Sequence, residues 1–255
     1  LGMNYFKQAK KHNVRYAELF FDPQAHTSRG VSFGEMFEGY YQATIDAKKE
    51  YDIDSKLIMC FLRDLSEESA FEHYEMAQPY LDRIAGFGLD SDERNNPPLK
   101  FERVFNKIKQ DGFKITIHCD IDQEGSIHNI ADVLHVLKAD RIDHGTNIVE
   151  NEYLVNEAIE KGIGFTCCPV SNSFVTEDMK GKEIKYLLRK GAKVTVNSDD
   201  PAYFQSYISD DMIALAKKEN LSKEDIIQLA RNSFEIAWIT DDEKEQYLQE
   251  IENYI

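Results

Sequence analysis

Two adjacent carboxylates, Asp199 and Asp200, follow a run of β-branched residues in the stretch GAKVTVNSDDPAYF, which begins at residue 191. Asn, Ser, Asp and Pro also make ordinary solvated turns, so this pair alone indicates little. Two histidines are placed in a similar way, because His118 follows KITI and His144 lies in RIDHG. Imidazole and carboxylate groups that meet at one point suit zinc or a similar divalent ion. A histidine beside such an ion would orient or deprotonate a bound water.

Short apolar runs, separated by amphipathic segments, are the elements that would position these residues. Each run is too short for a helix and is rich in β-branched or aromatic residues, as strands are. This alternation predicts a parallel sheet packed against helices, and the number of units predicts a barrel or a wound sheet. We place strands at 16–21, 57–62, 84–90, 114–120, 140–145, 164–169 and 193–200, and helices at 34–50, 67–82, 101–110, 127–138 and 150–161.

A parallel barrel carries its chemistry at the carboxyl ends of its strands. Polar side chains cluster at those ends of the predicted strands and not at their starts. Gly86 and Gly88, in AGFGLDSDE, are expected to let the backbone approach a ligand closely. The polar residues at the strand ends are Asp22, His26, Asp90, Asp92, Glu93, His118, Asp120, His144, Asp199 and Asp200.

Length, charge and cysteine content exclude several classes of protein. The chain has 255 residues, a length that suits one barrel domain over residues 1–255, and a formal net charge of −16. The acidity argues against nucleic acid and anionic membranes as partners. No run has the length of a membrane span and we expect no signal peptide, so a cytoplasmic location is predicted. The cysteines lack C-x-x-C spacing, and the adjacent Cys167 and Cys168 are predicted to be structural thiols.

Several motifs occur together in a particular order. They are YAELFFDPQAHTSRG, RIDHG, CPVSN, NSDDPAYF and LARNSF. In this order and at this spacing, over essentially the whole chain, they resemble the adenosine/adenine deaminase family of metal-dependent amidohydrolases. The first motif is most similar to the adenine deaminase branch. The resemblance implies an α/β fold, a TIM-type (β/α)8 barrel of which this chain supplies strands two to eight. It also implies hydrolytic deamination of adenine or an adenine-like base by a metal-activated water, with release of ammonia.

The resemblance assigns roles residue by residue. His118 and Asp199 match metal ligands, and His144 matches the catalytic histidine beside the activated water. Asp200 matches the residue that binds a purine ring nitrogen, and Ser91 lies where the family contacts the base through the chain after its fourth strand. The implied cofactor is one zinc or other divalent ion per site. The implied partner is a small aminopurine, and a homo-oligomer is compatible with the sequence.

One departure from the family concerns the metal ligands. The family takes two ligands from an H-x-H pair on its first strand, and this sequence contains no H-x-H. The pattern lacks at least one βα unit, which is roughly 30 residues. We therefore expect the sequence to be part of a longer polypeptide, and metal to bind only if the N-terminal ligands are present.

A second departure concerns the general acid. The family has H-x-x-E, but here His118 is followed by CDIDQEGS, which places Ile121 where the glutamate would be. Asp120 and Glu124 are the leading candidates, with Asp122 behind them. This change leaves open an enzyme that deaminates adenosine or N6-substituted adenines. Together with the missing H-x-H, it also leaves open a metal-less purine-binding homologue without activity.

Overall fold

Parallel strands alternate with helices in the computed structural model, which describes residues 1–119 and 122–255. The strands are β1 (Tyr16–Phe21), β2 (Asp54–Leu62), β3 (Ile84–Asp90), β4 (Lys114–Cys119), β5 (Arg141–His144), β6 (Gly164–Cys167) and β7 (Lys193–Val196). The helices are α1 (Gly2–Lys11), α2 (Pro23–Thr27), α3 (Phe33–Tyr51), α4 (Glu67–Ala77), α5 (Glu102–Gln110), α6 (Ser126–Asp132), α7 (Glu152–Glu160), α8 (Pro169–Val175), α9 (Gly181–Lys190), α10 (Pro201–Phe204), α11 (Ile208–Glu219), α12 (Lys223–Glu235) and α13 (Asp241–Glu252).

The chain divides into two compact units, Leu1–His118 with Asp132–Ala139, and Cys119–Ala131 with Asp140–Ile255. In the first unit, β1 pairs with β2, β2 with β3 and β3 with β4, always in parallel. In the second unit, β5 pairs with β6 and β6 with β7, also in parallel. Strands that neighbour one another in chain order are the product of successive βαβ connections.

The strands are apolar on both faces because both faces of the sheet are buried. Residues 57–61 of β2 are buried in succession, which requires cover on both sides of the sheet. The strand runs predicted from the sequence match the observed strands closely. The last two end earlier than predicted: β6 ends at Cys167, two residues before Pro169 opens α8, and β7 ends at Val196, so that NSDD lies beyond the strand.

Two helices near the C-terminus begin with reciprocal caps. Ser222 accepts from the backbone of Asp225, and the Asp225 side chain returns a bond to the Ser222 backbone, at the start of α12. Thr240 and Glu243 form the same reciprocal pair at α13. Such pairs satisfy backbone donors that a helix leaves unpaired in its first turn. None of the helices within residues 1–119 and 122–255 combines the length and the apolarity that a membrane span requires.

Gly88 has a packing role that differs from the ligand contact expected from the sequence. A Cβ built on this residue would lie 2.5 Å from Cys60 Sγ and 3.4 Å from Thr116 Cγ2. Those neighbours belong to β2 and β4, the strands on either side of β3. Glycine is therefore required because the adjacent strands already fill the space that a side chain would take.

We expect Gly88→Ala to lower the free energy of unfolding by about 1–3 kcal/mol, because an added methyl must displace packed neighbours. Gly39→Ala is the matched control, since nothing lies within 4 Å of a Cβ at this exposed position inside α3. The control should gain about 0.5–1 kcal/mol from helix propensity. Urea unfolding of the two variants measures both values, and a Gly88→Ala protein as stable as the wild type would contradict the packing role.

Candidate active site

His144 is the last residue of β5 and has a left-handed backbone, with φ of 59°. A residue with a side chain seldom adopts this conformation without a compensating interaction. Two neighbours fix the turn. The Gly145 N–H donates to Cys119 O at 3.1 Å, and the Cys167 thiol donates to His144 O at 3.4 Å. The end of β5 is therefore held by residues on both sides of it in the chain.

Asn172 sets the orientation of the His144 ring. Asn172 Oδ1 lies 3.0 Å from His144 Nδ1, and both residues are buried. With the amide oxygen on that side, Nδ1 carries the hydrogen and donates it, which leaves Nε2 as the acceptor nitrogen. Asn172 is placed by α8, where its own N–H donates to Cys168 O at 2.9 Å. The imidazole thus presents a basic nitrogen in a fixed orientation.

Asp199 faces that basic nitrogen. Its Oδ2 lies 3.7 Å from His144 Nε2, and its side chain is 23% exposed. Its backbone is left-handed, with φ of 55°, directly beyond the end of β7. The Asn197 N–H prolongs the pairing of β7 with β6 by donating to Cys167 O at 2.8 Å. The chain therefore turns sharply only after it has been anchored to its neighbour.

Asp200 differs from Asp199 in its surroundings. Asp200, which like Asp199 is an exposed residue, precedes α10, where its carbonyl accepts from Tyr203 N at 2.9 Å and from Phe204 N at 3.0 Å. Its place at the start of a helix comes from Pro201, which occupies the first helical position. The chain changes direction between the two adjacent carboxylates, and the carboxylate of Asp199 lies within 4 Å of the imidazole.

Three side chains at this point carry atoms of the types that bind divalent metal ions. His144, Cys168 and Asp199 each offer one ligand atom, and the three atoms lie within 4.8 Å of one another. Nitrogen, sulfur and oxygen are the donors that zinc accepts. Cys168, however, donates its thiol hydrogen to Thr166 O at 3.4 Å. Burial, together with the charge of Asp199, raises the pKa of this thiol well above its usual value, so the thiolate needed for ligation is disfavoured.

His118 belongs to the first unit, near the end of β4, and is half-buried. Its ring centroid lies 5.9 Å from that of Phe20. Its carbonyl accepts from Arg63 Nη1 at 2.6 Å, and Arg63 also donates through Nε to Asn96 O at 2.9 Å. Arg63 is fully buried and lies 3.6 Å from the Glu93 carboxylate. A buried guanidinium thereby ties the strand end that carries His118 to the loop after β3.

Ser91, also in the first unit, has φ of 73° and is exposed. Its hydroxyl donates to Asp64 Oδ1 at 2.8 Å. Because the side chain is engaged in this way, the main chain is the part of Ser91 suited to contact a base, as the resemblance implies.

Three carboxylates after β4 were candidates for the general acid. Asp120, with Ile121, lies outside the described residues. Asp122 is held in place, because its Oδ1 accepts from Lys180 Nζ at 2.6 Å and from Asn147 Nδ2 at 3.1 Å. Glu124 is exposed, in a turn that precedes α6. Both Asp122 and Glu124 are thus exposed, and Asp122 is held in place by its bonds to Lys180 and Asn147.

The second unit brings His144 and Asp199 together, whereas His118 and Ser91 are placed by the first unit. Sequence reasoning missed the functional neighbours Asn172, Lys180 and Arg63. Asn172 had a signal, since it ends the quoted CPVSN motif. The other two are ordinary charged residues in the sequence, and their contacts with His118 and Asp122 join residues 55 and 58 positions apart.

Comparison with known proteins places the chain in a family. A model of the adenosine deaminase family matches residues 1–254. An adenine deaminase from Zymomonas mobilis is 44% identical over 257 residues, which is 100% of this chain and 76% of that protein. The predicted resemblance to adenosine and adenine deaminases is therefore confirmed.

Solved structures agree with this placement. An adenine deaminase from Arthrobacter aurescens matches with a TM-score of 0.93 and 35% identity, covering 99% of this chain and 77% of that one. An amidohydrolase from Burkholderia ambifaria, solved with bound zinc, matches with a TM-score of 0.90 and 25% identity over 98% of this chain and 72% of its own. The predicted TIM-type (β/α)8 fold class is confirmed. On the family match and the shared identity, the chain belongs to the adenosine deaminase family of hydrolases.

Proposed function

We propose that this protein is an adenine deaminase, which hydrolyses adenine to hypoxanthine and ammonia. The observation that carries the proposal is the pair formed by His144 and Asp199, with Nε2 of the imidazole facing the carboxylate at 3.7 Å and Nδ1 fixed by Asn172. A base oriented by one partner and facing a carboxylate suits the activation of water. The names of the Zymomonas and Arthrobacter relatives support adenine as the substrate.

We further propose that the site holds one divalent ion, with zinc as the first candidate because the Burkholderia structure contains it. His118 and Asp199 would be two of its ligands, and an H-x-H pair outside residues 1–255 would supply the others. When bound, such an ion lowers the pKa of water toward neutrality and so makes a nucleophile available. Cys168 has no part in this ligand set, since its thiol is buried and donates to Thr166.

His144 would take the proton of the attacking water at Nε2. The Nδ1 hydrogen is already donated to Asn172, so the ring becomes positively charged when Nε2 is protonated. The carboxylate of Asp199 faces that charge from 3.7 Å. The pair therefore compensates locally for the charge that proton transfer creates.

The ring nitrogen next to the reacting carbon must gain a proton before ammonia leaves. We propose Asp120 or Glu124 as the donor. Asp122 ranks last, because its Oδ1 accepts two hydrogen bonds, from Lys180 and Asn147, and is poorly placed to reach substrate. Asp200 would hold a purine ring nitrogen, as the resemblance implies.

The proposal is tested by steady-state rates of the complete, zinc-loaded polypeptide on adenine, adenosine and N6-methyladenine. We expect kcat/KM for adenine to exceed the other two by about tenfold or more, a difference that one or two substrate contacts supply. His118→Ala should lower metal content, whereas His144→Ala should keep metal and lose turnover on the order of 10²–10⁴-fold. Preference for adenosine would make the enzyme a nucleoside deaminase. A protein without metal or turnover would be the inactive purine-binding homologue.

Replacing Asn172 should affect turnover through His144 alone. In Asn172→Leu the ring loses its acceptor, so we expect kcat to fall about 10–100-fold while metal content is unchanged. Asn172→Asp keeps an acceptor oxygen and should recover most of the rate, with a shifted pH profile because its charge stabilises imidazolium. Ser173→Ala is the control, since that hydroxyl donates to Val170 O within the same helix. Loss of metal in Asn172→Leu would show that α8 positions the ion instead.

The general acid is identified by Asp120→Asn, Asp122→Asn and Glu124→Gln, each made separately. We expect Asp120→Asn or Glu124→Gln to lose at least about 10²-fold in kcat on adenine with metal retained. Lys180→Met is the companion to Asp122→Asn, because both break the same ion pair. Similar moderate losses in those two variants would identify a loop anchor. Full activity in all three carboxylate variants would place the proton donor elsewhere.

A further inference from the structure

Two carboxyl side chains of the first unit have no part in the mechanism above. Asp22 follows β1 and Asp90 ends β3, so both lie at the carboxyl ends of the strands that flank β2. Asp90 is hydrogen-bonded to Asp22 and to Cys60 of β2. One ligand atom of each of the three residues lies within 4.8 Å of the other two. The charge of His118 acts on both carboxyls, which places them beside a predicted metal ligand.

Each carboxyl also has an oxygen that the fold leaves unused. Asp22 Oδ1 and Asp90 Oδ1 are buried and have no hydrogen-bond partner among the described residues. The Asp22 side chain does not cap α2, although Asp22 occupies the cap position. Asp90 serves the fold through its main-chain carbonyl, which accepts from Arg63 N at 3.1 Å. Buried acceptors without a donor are rare in native proteins and call for a specific explanation.

Two other buried carboxyls, Glu67 and Asp211, have hydrogen-bond donors. Glu67 accepts from Arg103 Nε at 2.5 Å and from Val104 N at 3.0 Å. Asp211 accepts from Ser206 Oγ at 2.6 Å and from Val170 N at 3.4 Å. Glu67 and Asp211 therefore have a structural role in the fold, whereas the unmet oxygens of Asp22 and Asp90 have none. An unmet acceptor at the carboxyl end of a strand is where a ligand of this fold would supply the donor.

The two unmet oxygens decide what the pair can recognise. Asp22 and Asp90 are held against each other by a side-chain hydrogen bond. Each keeps a buried oxygen without a donor, and a carboxyl oxygen of this kind accepts hydrogen bonds. The matching ligand edge presents an N–H donor and is not an anion.

The position of Ser91 indicates which edge of a purine meets the pair. Ser91 follows Asp90 directly and is the residue expected to contact the base through its main chain. A free purine carries an N–H in its five-membered ring, at the atom that bears the sugar in a nucleoside. On the basis of the proposed deaminase function, we propose that Asp22 and Asp90 accept this N–H and so select a free aminopurine over its nucleoside.

The test compares adenine with 9-methyladenine, which lacks the N–H without adding a sugar. The complete, zinc-loaded protein should show kcat/KM at least about 100-fold higher for adenine, as expected of a site built to bond a substrate N–H. In Asp22→Leu and Asp90→Leu, which are similar in size but offer no acceptor, the ratio should fall at least about tenfold, with metal content unchanged. Asp92→Asn is the control, because this exposed carboxylate bonds Arg94 and should keep the wild-type ratio.

Binding measurements keep this inference distinct from the proposed function. Calorimetry with hypoxanthine and 9-methylhypoxanthine needs no turnover, and the wild type should bind the first at least about tenfold more tightly. Equal binding of the two ligands, or an unchanged ratio in both Leu variants, overturns the inference even where adenine is deaminated. Loss of metal in the Leu variants would also overturn it, since the pair would then be a cation site. A wild type that binds hypoxanthine selectively but deaminates nothing would refute the function and support the pair.

Discussion

Three of the residues predicted to form the site share one backbone constraint. Ser91, His144 and Asp199 all have φ between 55° and 73°, at or just beyond strand ends. Such conformations cost on the order of 1–3 kcal/mol each, and they persist only where the surroundings determine them. Here the surroundings are specific hydrogen bonds, from Gly145 N to Cys119 O and from Ser91 Oγ to Asp64. The sharp turns place functional side chains at the ends of rigid strands.

Buried charged groups hold the end of β4 and the loop after β3 in place. Arg63 is fully buried, yet it donates to His118 O and Asn96 O, and the Glu93 carboxylate lies nearby. An unpaired charge at this depth would be strongly unfavourable, so the network must form as a unit. It fixes the main chain on which His118 and the loop after β3 depend. The buried charges therefore specify geometry more than they add stability.

Much of the fold was predictable because strand signals are local. Continuous apolar runs such as residues 57–61 identify strands covered on both faces, and Ser222 and Thr240 mark helix starts through partners three residues away. For the site, the sequence predicted the residues proposed to bind metal and substrate but not the residues that hold them in place. Asn172 lies 28 residues from His144, and Lys180 lies 58 residues from Asp122. No local pattern encodes such pairs, since tertiary folding alone brings them together. The same reason hid the packing of Gly88 against Cys60.

Residues that hold the site in shape have their hydrogen bonds satisfied, whereas the residues proposed to recognise the ligand keep an acceptor without a donor. His144 has Nδ1 occupied by Asn172, which leaves Nε2 for chemistry. Asp22 and Asp90 each keep a buried oxygen without a donor. An unmet acceptor destabilises the folded protein by about 1–3 kcal/mol, and a ligand that supplies the donor recovers that free energy on binding. A ligand that carries a methyl group or a sugar on the donor nitrogen has no hydrogen to donate and does not recover this free energy. The missing hydrogen bond therefore has two effects: it lowers the stability of the free protein, and it favours the ligand that can form the bond.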